Sequence, residues 1–155
     1  MKIQWKPLLI ALSIPLAVGG LATLLSGGMS DFAELKQPPL SPPGWLFPVV
    51  WSILYLLMGY ASYRVYTADA PKDLTRRALL FYALQLFFNF LWPIVFFGLE
   101  WRLTAFFILL ILWVLIYLTM RLFSAVDELS SDLLLPYILW VTFAGYLNLG
   151  VFLLN

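Results

Sequence analysis

The chain has 155 residues, of which 63% are hydrophobic and 11% charged, with a formal net charge of +1 and neither cysteine nor histidine. Soluble domains carry about 25% charged residues, so this composition excludes an ordinary soluble domain and indicates a membrane protein. The missing residue types exclude disulfides, thiolate chemistry, a histidine general base and histidine or cysteine metal ligands.

Five stretches without Asp, Glu, Lys or Arg follow one another along the chain. Each is about 18–25 residues long, enough for a helix to cross a hydrocarbon core about 30 Å thick. The spans predicted from these stretches run past some of their charged ends and cover residues 8–25, 45–66, 74–98, 103–123 and 132–154. We therefore predict an all-α integral membrane protein, with residues 1–155 forming a single bundle of five transmembrane helices.

The first span carries Gly19, Thr23 and Gly27 at helical spacing. Such a stripe of small residues lets helices approach closely, either in a homodimer or within one chain, and both alternatives stay open. The apolar stretch exceeds the 7–15 residues of a signal-peptide core, so we expect a retained helix.

A long loop, residues 26–44, joins the first two spans, and residues 31–35 in it could form a helical turn. Four prolines lie near its end: Pro38, Pro39, Pro42 and Pro43. Proline fixes φ and restricts the preceding residue, so this part should be extended and semi-rigid. Long loops in compact domains are usually functional or disordered, and rigidity argues against disorder. We predict that the loop is a lid.

Polar and indole side chains recur at helical spacing in three spans. The stripes, which also include the small residues Gly59 and Ala144, are Trp51, Tyr55, Gly59 and Ser62 in the second span, Gln85, Asn89 and Trp92 in the third, and Trp140, Ala144 and Asn148 in the fifth. Amides are costly in hydrocarbon unless paired, so Gln85, Asn89 and Asn148 should face the bundle interior.

At about 1.5 Å rise per residue, most of these side chains lie in the half of the bundle beneath the loop. A ligand pocket there would be walled by Trp51, Asn89, Trp92, Trp140 and Asn148. Aromatic core packing and hydrogen bonds between helices are the alternatives, and they stay open.

Other residues in the spans and loops have simpler interpretations. Trp5, Trp45 and Trp101 lie at span ends and fit an interfacial belt. Pro15, Pro93 and Pro136 lie inside spans, where they should kink helices or free carbonyls, with ordinary helix curvature as the alternative. Asp127, in the last loop, is interpreted as part of a solvated face.

The basic residues are distributed unevenly between the two sides of the predicted bundle. Seven of the nine Lys and Arg lie on the N-terminal side, and Lys36 and Arg102 on the other. The positive-inside rule then places the N-terminus in the cytoplasm and the C-terminus outside. The short chain without a targeting extension favours a bacterial plasma membrane over a mitochondrial outer membrane. Nothing indicates nucleic-acid binding, since no basic stripe exists, and spans without carboxylates argue against a proton pump or voltage sensor.

Three motifs carry a resemblance to a known family: PPLSPPGWLFPVVWSILYLLMGYASY entering the second span, QLFFNFLWPIVFFG in the third and PYILWVTFAGYLN in the fifth. With these motifs, in this order, the chain resembles the TspO/MBR family of tryptophan-rich sensory proteins and translocator proteins, also called peripheral benzodiazepine receptors. The resemblance implies a five-helix bundle, often a homodimer. It also implies binding of protoporphyrin IX or haem, and of isoquinoline carboxamides and benzodiazepine-like drugs, beneath the first loop.

The match to the family motifs also implies which residues line that pocket. They are Phe47, Trp51, Tyr55, Asn89, Trp92, Trp140, Ala144, Leu147 and Asn148. In bacterial relatives the tryptophans matching Trp51 and Trp140 are implicated in light- and oxygen-dependent breakdown of protoporphyrin, so these two would be the catalytic residues of an enzyme. No metal site and no required cofactor are expected. Without histidine or cysteine, tetrapyrrole binding would rest on stacking and apolar fit.

The sequence departs from the family at a sterol-binding motif. Animal members carry a Tyr and an Arg where this chain has Leu149 and Leu153, which argues against sterol binding. The generic pattern Leu115, Tyr117, Arg121 is too weak to restore it. The function expected from the sequence is therefore a tetrapyrrole- and drug-binding membrane sensor or regulator. A protoporphyrin-degrading enzyme and a transporter of porphyrin or another amphipathic solute are the alternatives.

Overall fold

The chain folds into long helices, of which the first two are joined by a long loop and the others by short connections, and the computed structural model describes residues 2–28 and 32–155. The α-helices are α1 Trp5–Ser26, α2 Leu46–Thr67, α3 Lys72–Pro93, α4 Arg102–Val126, α5 Glu128–Asp132 and α6 Leu135–Leu154. A 3-10 turn, Phe32–Glu34, lies in the first loop, and a π-helical turn, Ile94–Gly98, continues α3. Within these two described ranges no strand occurs, which confirms the all-α prediction.

Five helical segments are long and apolar enough to cross a membrane, which confirms the predicted number. They are Trp5–Ser26, Leu46–Thr67, Lys72–Gly98, Arg102–Val126 and Glu128–Leu154. Hydrocarbon offers no hydrogen-bond partners, so such segments satisfy their backbone groups as continuous helices. Trp5, Trp45 and Trp101 are exposed at or near the helix ends, as an interfacial belt requires.

The last membrane segment is divided near its start. Asp127 caps the short helix α5, accepting a hydrogen bond from the Ser130 amide at 3.2 Å. A turn follows, and Pro136 then lies in the first turn of α6. Pro136 thus lies inside a membrane segment, as predicted, but at the start of a helix, where it does not kink a helix interior. At a helix start the missing N–H of proline removes no hydrogen bond.

The third segment changes its winding at Pro93, where proline cannot donate to the α-helical ladder. The chain continues as the π-helical turn, in which the Leu99 amide donates to the Ile94 carbonyl at 2.9 Å. This turn carries Phe96 and Phe97 on successive positions, beside the first loop. A π-helical turn within a helix is frequent at functional sites.

Two glycines let α1 lie directly against α2. A Cβ on Gly59 would come within 2.7 Å of the Ala11 carbonyl oxygen and 2.8 Å of the Leu12 Cα, so the two backbones touch there. Gly19 lies against the ring of Tyr55. Of the stripe in the first span, Gly19 therefore packs within the chain, while a homodimer stays a prediction.

An ion pair joins α2 to the connection between α4 and α5. Arg64 Nε donates to Asp127 Oδ2 at 2.8 Å and Arg64 Nη2 donates to Asp127 Oδ1 at 3.2 Å. The Ser130 hydroxyl also donates to Asp127 Oδ2, at 2.6 Å. The interpretation of Asp127 as part of a merely solvated face is therefore wrong. The Arg64 guanidinium, helped by Ser130, holds the pKa of Asp127 below its ordinary value.

We expect Gly59→Ala to lower the free energy of unfolding by about 1–3 kcal/mol, because the new methyl group must push apart two helix backbones. The control is Gly20→Ala on α1, where an added Cβ meets nothing within 4 Å. Its better helix propensity should leave the protein as stable or slightly more stable. Thermal unfolding in detergent, followed by circular dichroism, compares the two; equal loss in both variants would contradict the close contact.

We expect acid to destabilise the wild type through Asp127. The pKa of Asp127 is lower in the folded protein than in the unfolded protein, so on acidification the unfolded protein takes up the proton at a higher pH. Stability is therefore lost as the pH falls from about 4 toward the pKa of the folded protein. Asp127→Asn should lose about 1 kcal/mol or less at neutral pH and show a weaker acid dependence. Unfolding midpoints between pH 7 and pH 3 test this, with the exposed Asp69→Asn as the control. An Asp127→Asn curve parallel to that of the wild type would contradict it.

Candidate functional site

All nine residues predicted to line a pocket lie around one cavity of about 260 Å³. They are Phe47, Trp51 and Tyr55 on α2, Asn89 and Trp92 on α3, and Trp140, Ala144, Leu147 and Asn148 on α6. Within each helix they recur every three or four residues, so each set shares one face. Three helix faces that are far apart in sequence therefore converge on the same space.

Phe32 covers this cavity from the first loop. It is 7% exposed, and its ring packs edge-on against Phe47 and against Phe97, each with centroids 5.7 Å apart. The four predicted lid prolines are described residues, and none of them lines the cavity. The loop thus closes the cavity through Phe32, although Asp31, the first residue of the predicted helical turn, lies outside the described residues.

The proline part of the loop is fastened to α6. Pro38 is buried, and a Cβ on Gly150 would come within 2.5 Å of its ring. The Tyr146 hydroxyl donates to the Pro39 carbonyl at 2.6 Å. Glycine at position 150 therefore lets the loop lie against the helix surface.

A second contact holds the loop at the end of α6. The Lys36 amide donates to Asn155 Oδ1 at 3.2 Å, and Asn155 Nδ2 donates to the Lys36 carbonyl at 2.9 Å. This reciprocal pair satisfies both backbone groups of Lys36. Together with Pro38 and Tyr146, it makes the loop a strap anchored on α6.

Aromatic rings form the walls of the cavity. Trp51 lies against Tyr55 with ring centroids 5.6 Å apart, and Phe47 meets Trp140 edge-on at 5.9 Å. The Trp140 indole N–H is buried and has no hydrogen-bond partner among the described residues. Such walls can stack on a flat ring and leave one buried donor for a polar group.

The amides of the cavity wall also join the helices. Trp92 Nε1 donates to Asn148 Oδ1 at 2.9 Å, and Asn148 Nδ2 donates to the Arg102 carbonyl at 2.8 Å. The Tyr55 hydroxyl donates to Asn89 Oδ1, also at 2.9 Å. These amides are buried, as predicted. The alternative of interhelical hydrogen bonding is therefore realised in the same side chains that line the cavity.

Several residues of the site were missed by the sequence prediction. Phe96 and Phe97 enter because of the π-helical turn, which the sequence indicated only through Pro93. Phe32 is the one aromatic residue of the loop, residues 26–44, a signal that could have been used. Tyr137, one helical turn before Trp140, does not line the cavity, but it is bonded to Asn89, which does.

Comparison with known proteins agrees with this geometry. The TspO/MBR family matches residues 11–154. Protein CrtK of Rhodobacter capsulatus is 42% identical over 124 residues, covering 80% of this chain and 78% of its own. Tryptophan-rich protein TspO of Chlorobaculum tepidum is 35% identical over 157 residues, covering 100% and 99%. The translocator protein of Ovis aries is 33% identical over 152 residues, covering 93% and 87%.

These matches extend over nearly the whole bundle and include the three helices that carry the nine predicted pocket residues. Together with the five apolar helices, they identify an integral membrane protein. The chain belongs to the TspO/MBR family.

Proposed function

We propose that this protein is a membrane sensor or regulator that binds a tetrapyrrole, protoporphyrin IX or haem, in the cavity beneath the first loop. One observation carries the proposal: all nine family-derived pocket residues line a single cavity. Drug-like isoquinoline carboxamides and benzodiazepines are proposed ligands of the same site. A homodimer in a bacterial plasma membrane, with the N-terminus in the cytoplasm, remains the expected setting.

The residues present fit the faces of a tetrapyrrole. Trp51 and Trp140, both half-buried, offer broad apolar surfaces for stacking, which would hold the ring without axial histidine or cysteine. The volume of about 260 Å³ lies just below the roughly 300–1,000 Å³ of drug-sized ligand pockets. A tetrapyrrole therefore needs Phe32 and the strap to move, which gives the anchored loop its proposed role as a lid.

Light- and oxygen-dependent breakdown of protoporphyrin IX is the second candidate function. Trp51 and Trp140 line the same cavity, so a bound porphyrin would lie against both indoles. Light would excite the porphyrin and dioxygen would be the oxidant. The two candidates share the binding step and differ only in whether product forms.

We expect protoporphyrin IX to quench tryptophan fluorescence saturably when the purified protein is titrated in the dark. Trp51→Phe and Trp140→Phe should each weaken binding by about threefold to tenfold, because each removes part of a stacking surface. Trp5→Phe, at an exposed position outside the cavity, is the matched control. Affinity unchanged in both cavity variants would refute the proposed site.

Illumination of the same samples in air separates the two functions. A new porphyrin product that forms in the wild type and is lost in the Trp51→Phe, Trp140→Phe double variant supports the enzyme. Binding of protoporphyrin IX without specific conversion supports the sensor or regulator instead.

We expect Gly150→Ala to speed release of protoporphyrin IX at least severalfold, because the added methyl group displaces the Pro38 ring and loosens the strap. Gly145→Ala on the same helix is the control, since a Cβ there makes only ordinary contacts from 3.7 Å outward. Stopped-flow dissociation in detergent measures the rates, and circular dichroism verifies that both variants fold. Equal release rates for both alanine variants would count against the lid.

A further inference from the structure

Four side chains form a hydrogen-bonded series from the cavity wall into the core, here called the polar chain: Tyr55, Asn89, Tyr137 and Gln85. The Tyr55 hydroxyl donates to Asn89 Oδ1 at 2.9 Å, and Asn89 Nδ2 donates to the Tyr137 hydroxyl at 2.8 Å. The Tyr137 hydroxyl donates to Gln85 Oε1 at 2.6 Å. Tyr55 and Asn89 line the cavity, whereas Tyr137 and Gln85 do not. The outer half of the polar chain can therefore touch a ligand and the inner half cannot.

The inner half dictates how the outer half is oriented. A phenol has a single proton to donate. Because Tyr137 gives its proton to Gln85, it can only accept from Asn89, whose amide nitrogen must then face inward. The oxygen of Asn89 consequently faces Tyr55, which gives up its own proton there.

This orientation leaves Tyr55 and Asn89 with free lone pairs on the oxygens where they meet. The hydroxyl proton of Tyr55 is already used, and the amide nitrogen of Asn89 is turned toward Tyr137. Asn89 is only 3% exposed and Tyr137 1%, so water does not readily compete for these bonds. This corner of the cavity accepts hydrogen bonds.

We propose that Tyr137 and Gln85 are positioning residues that set the ligand preference of the cavity for molecules carrying an N–H or O–H donor. The inference rests on the proposed function in one respect only, that the cavity holds a ligand. A carboxylate is disfavoured at this corner, since it finds acceptors there. The propionates of a tetrapyrrole would therefore lie toward the outer mouth.

Replacing Gln85 by methionine tests the direction of the polar chain. Methionine removes the acceptor and keeps a flexible side chain of similar length. Tyr137 then donates to Asn89, the amide turns over, and the Tyr55 proton is released toward the cavity. Tyr137→Phe instead breaks the polar chain and keeps the ring that meets Trp51 edge-on.

Carbazole and dibenzofuran form a matched pair of probes, flat and nearly identical in shape, with an N–H in one and an oxygen in the other. We expect the wild type to bind carbazole about fivefold more tightly than dibenzofuran, the value of one net hydrogen bond. The ratio of the carbazole affinity to the dibenzofuran affinity should fall to about one in Tyr137→Phe and below one in Gln85→Met. Leu86→Met, a buried neighbour outside the polar chain, should keep the wild-type ratio. A ratio that is the same in the wild type, Tyr137→Phe and Gln85→Met overturns the proposal.

A second readout needs no ligand. The chain has three asparagines, so selective ¹⁵N-asparagine labelling gives three pairs of side-chain amide signals. The Asn89 pair should shift in Gln85→Met and Tyr137→Phe and stay in place in Leu86→Met. Unchanged Asn89 signals overturn the proposal even if no probe binds. If carbazole is preferred but protoporphyrin IX does not bind, the proposed tetrapyrrole function fails while this inference stands.

Discussion

Hydrocarbon supplies no hydrogen-bond partners, and this constraint determines how the buried polar side chains of the bundle are arranged. Tyr137 on α6 is bonded to both Asn89 and Gln85 on α3, and Asn89 is bonded to Tyr55 on α2. Three helices are thereby joined by side chains at one depth. The cavity lies directly beside this junction, so the interactions that hold the helices together also orient its polar wall.

Steric contacts complete the shape of the cavity. Gly59 brings the backbone of α1 against α2, while Gly19 leaves room for the ring of Tyr55. The π-helical turn after Pro93 places Phe96 and Phe97 on the outer side, where Phe32 packs on them. The cavity remains between the helices because bulky aromatic rings, rather than helix backbones, meet around it.

The anchored loop is the element that we propose controls ligand exchange. Its contacts with α6 are few and specific: an aromatic hydroxyl, a glycine beside a proline ring, and a reciprocal amide pair at Asn155. Proline lowers the entropy that a loop loses on closing, so such a strap can settle over a ligand at small cost. Aromatic walls and one polar corner best suit a ligand that is flat, largely apolar and polar at one edge.

The sequence alone determined the five spans and the inward orientation of Gln85, Asn89 and Asn148, because helical periodicity and the cost of unpaired amides are local properties, whereas the full set of pocket residues followed from the resemblance to the family. Only the tertiary structure decided what depends on contacts between distant segments. Phe32 rather than the prolines covers the cavity, Asp127 pairs with Arg64, and Tyr137 links Asn89 to Gln85. Pro136 lies at the start of α6 rather than in a helix interior, because a turn divides the last membrane segment just before α6. Periodicity specifies which face of a helix is polar, but the partner on that face depends on how the helices are packed together.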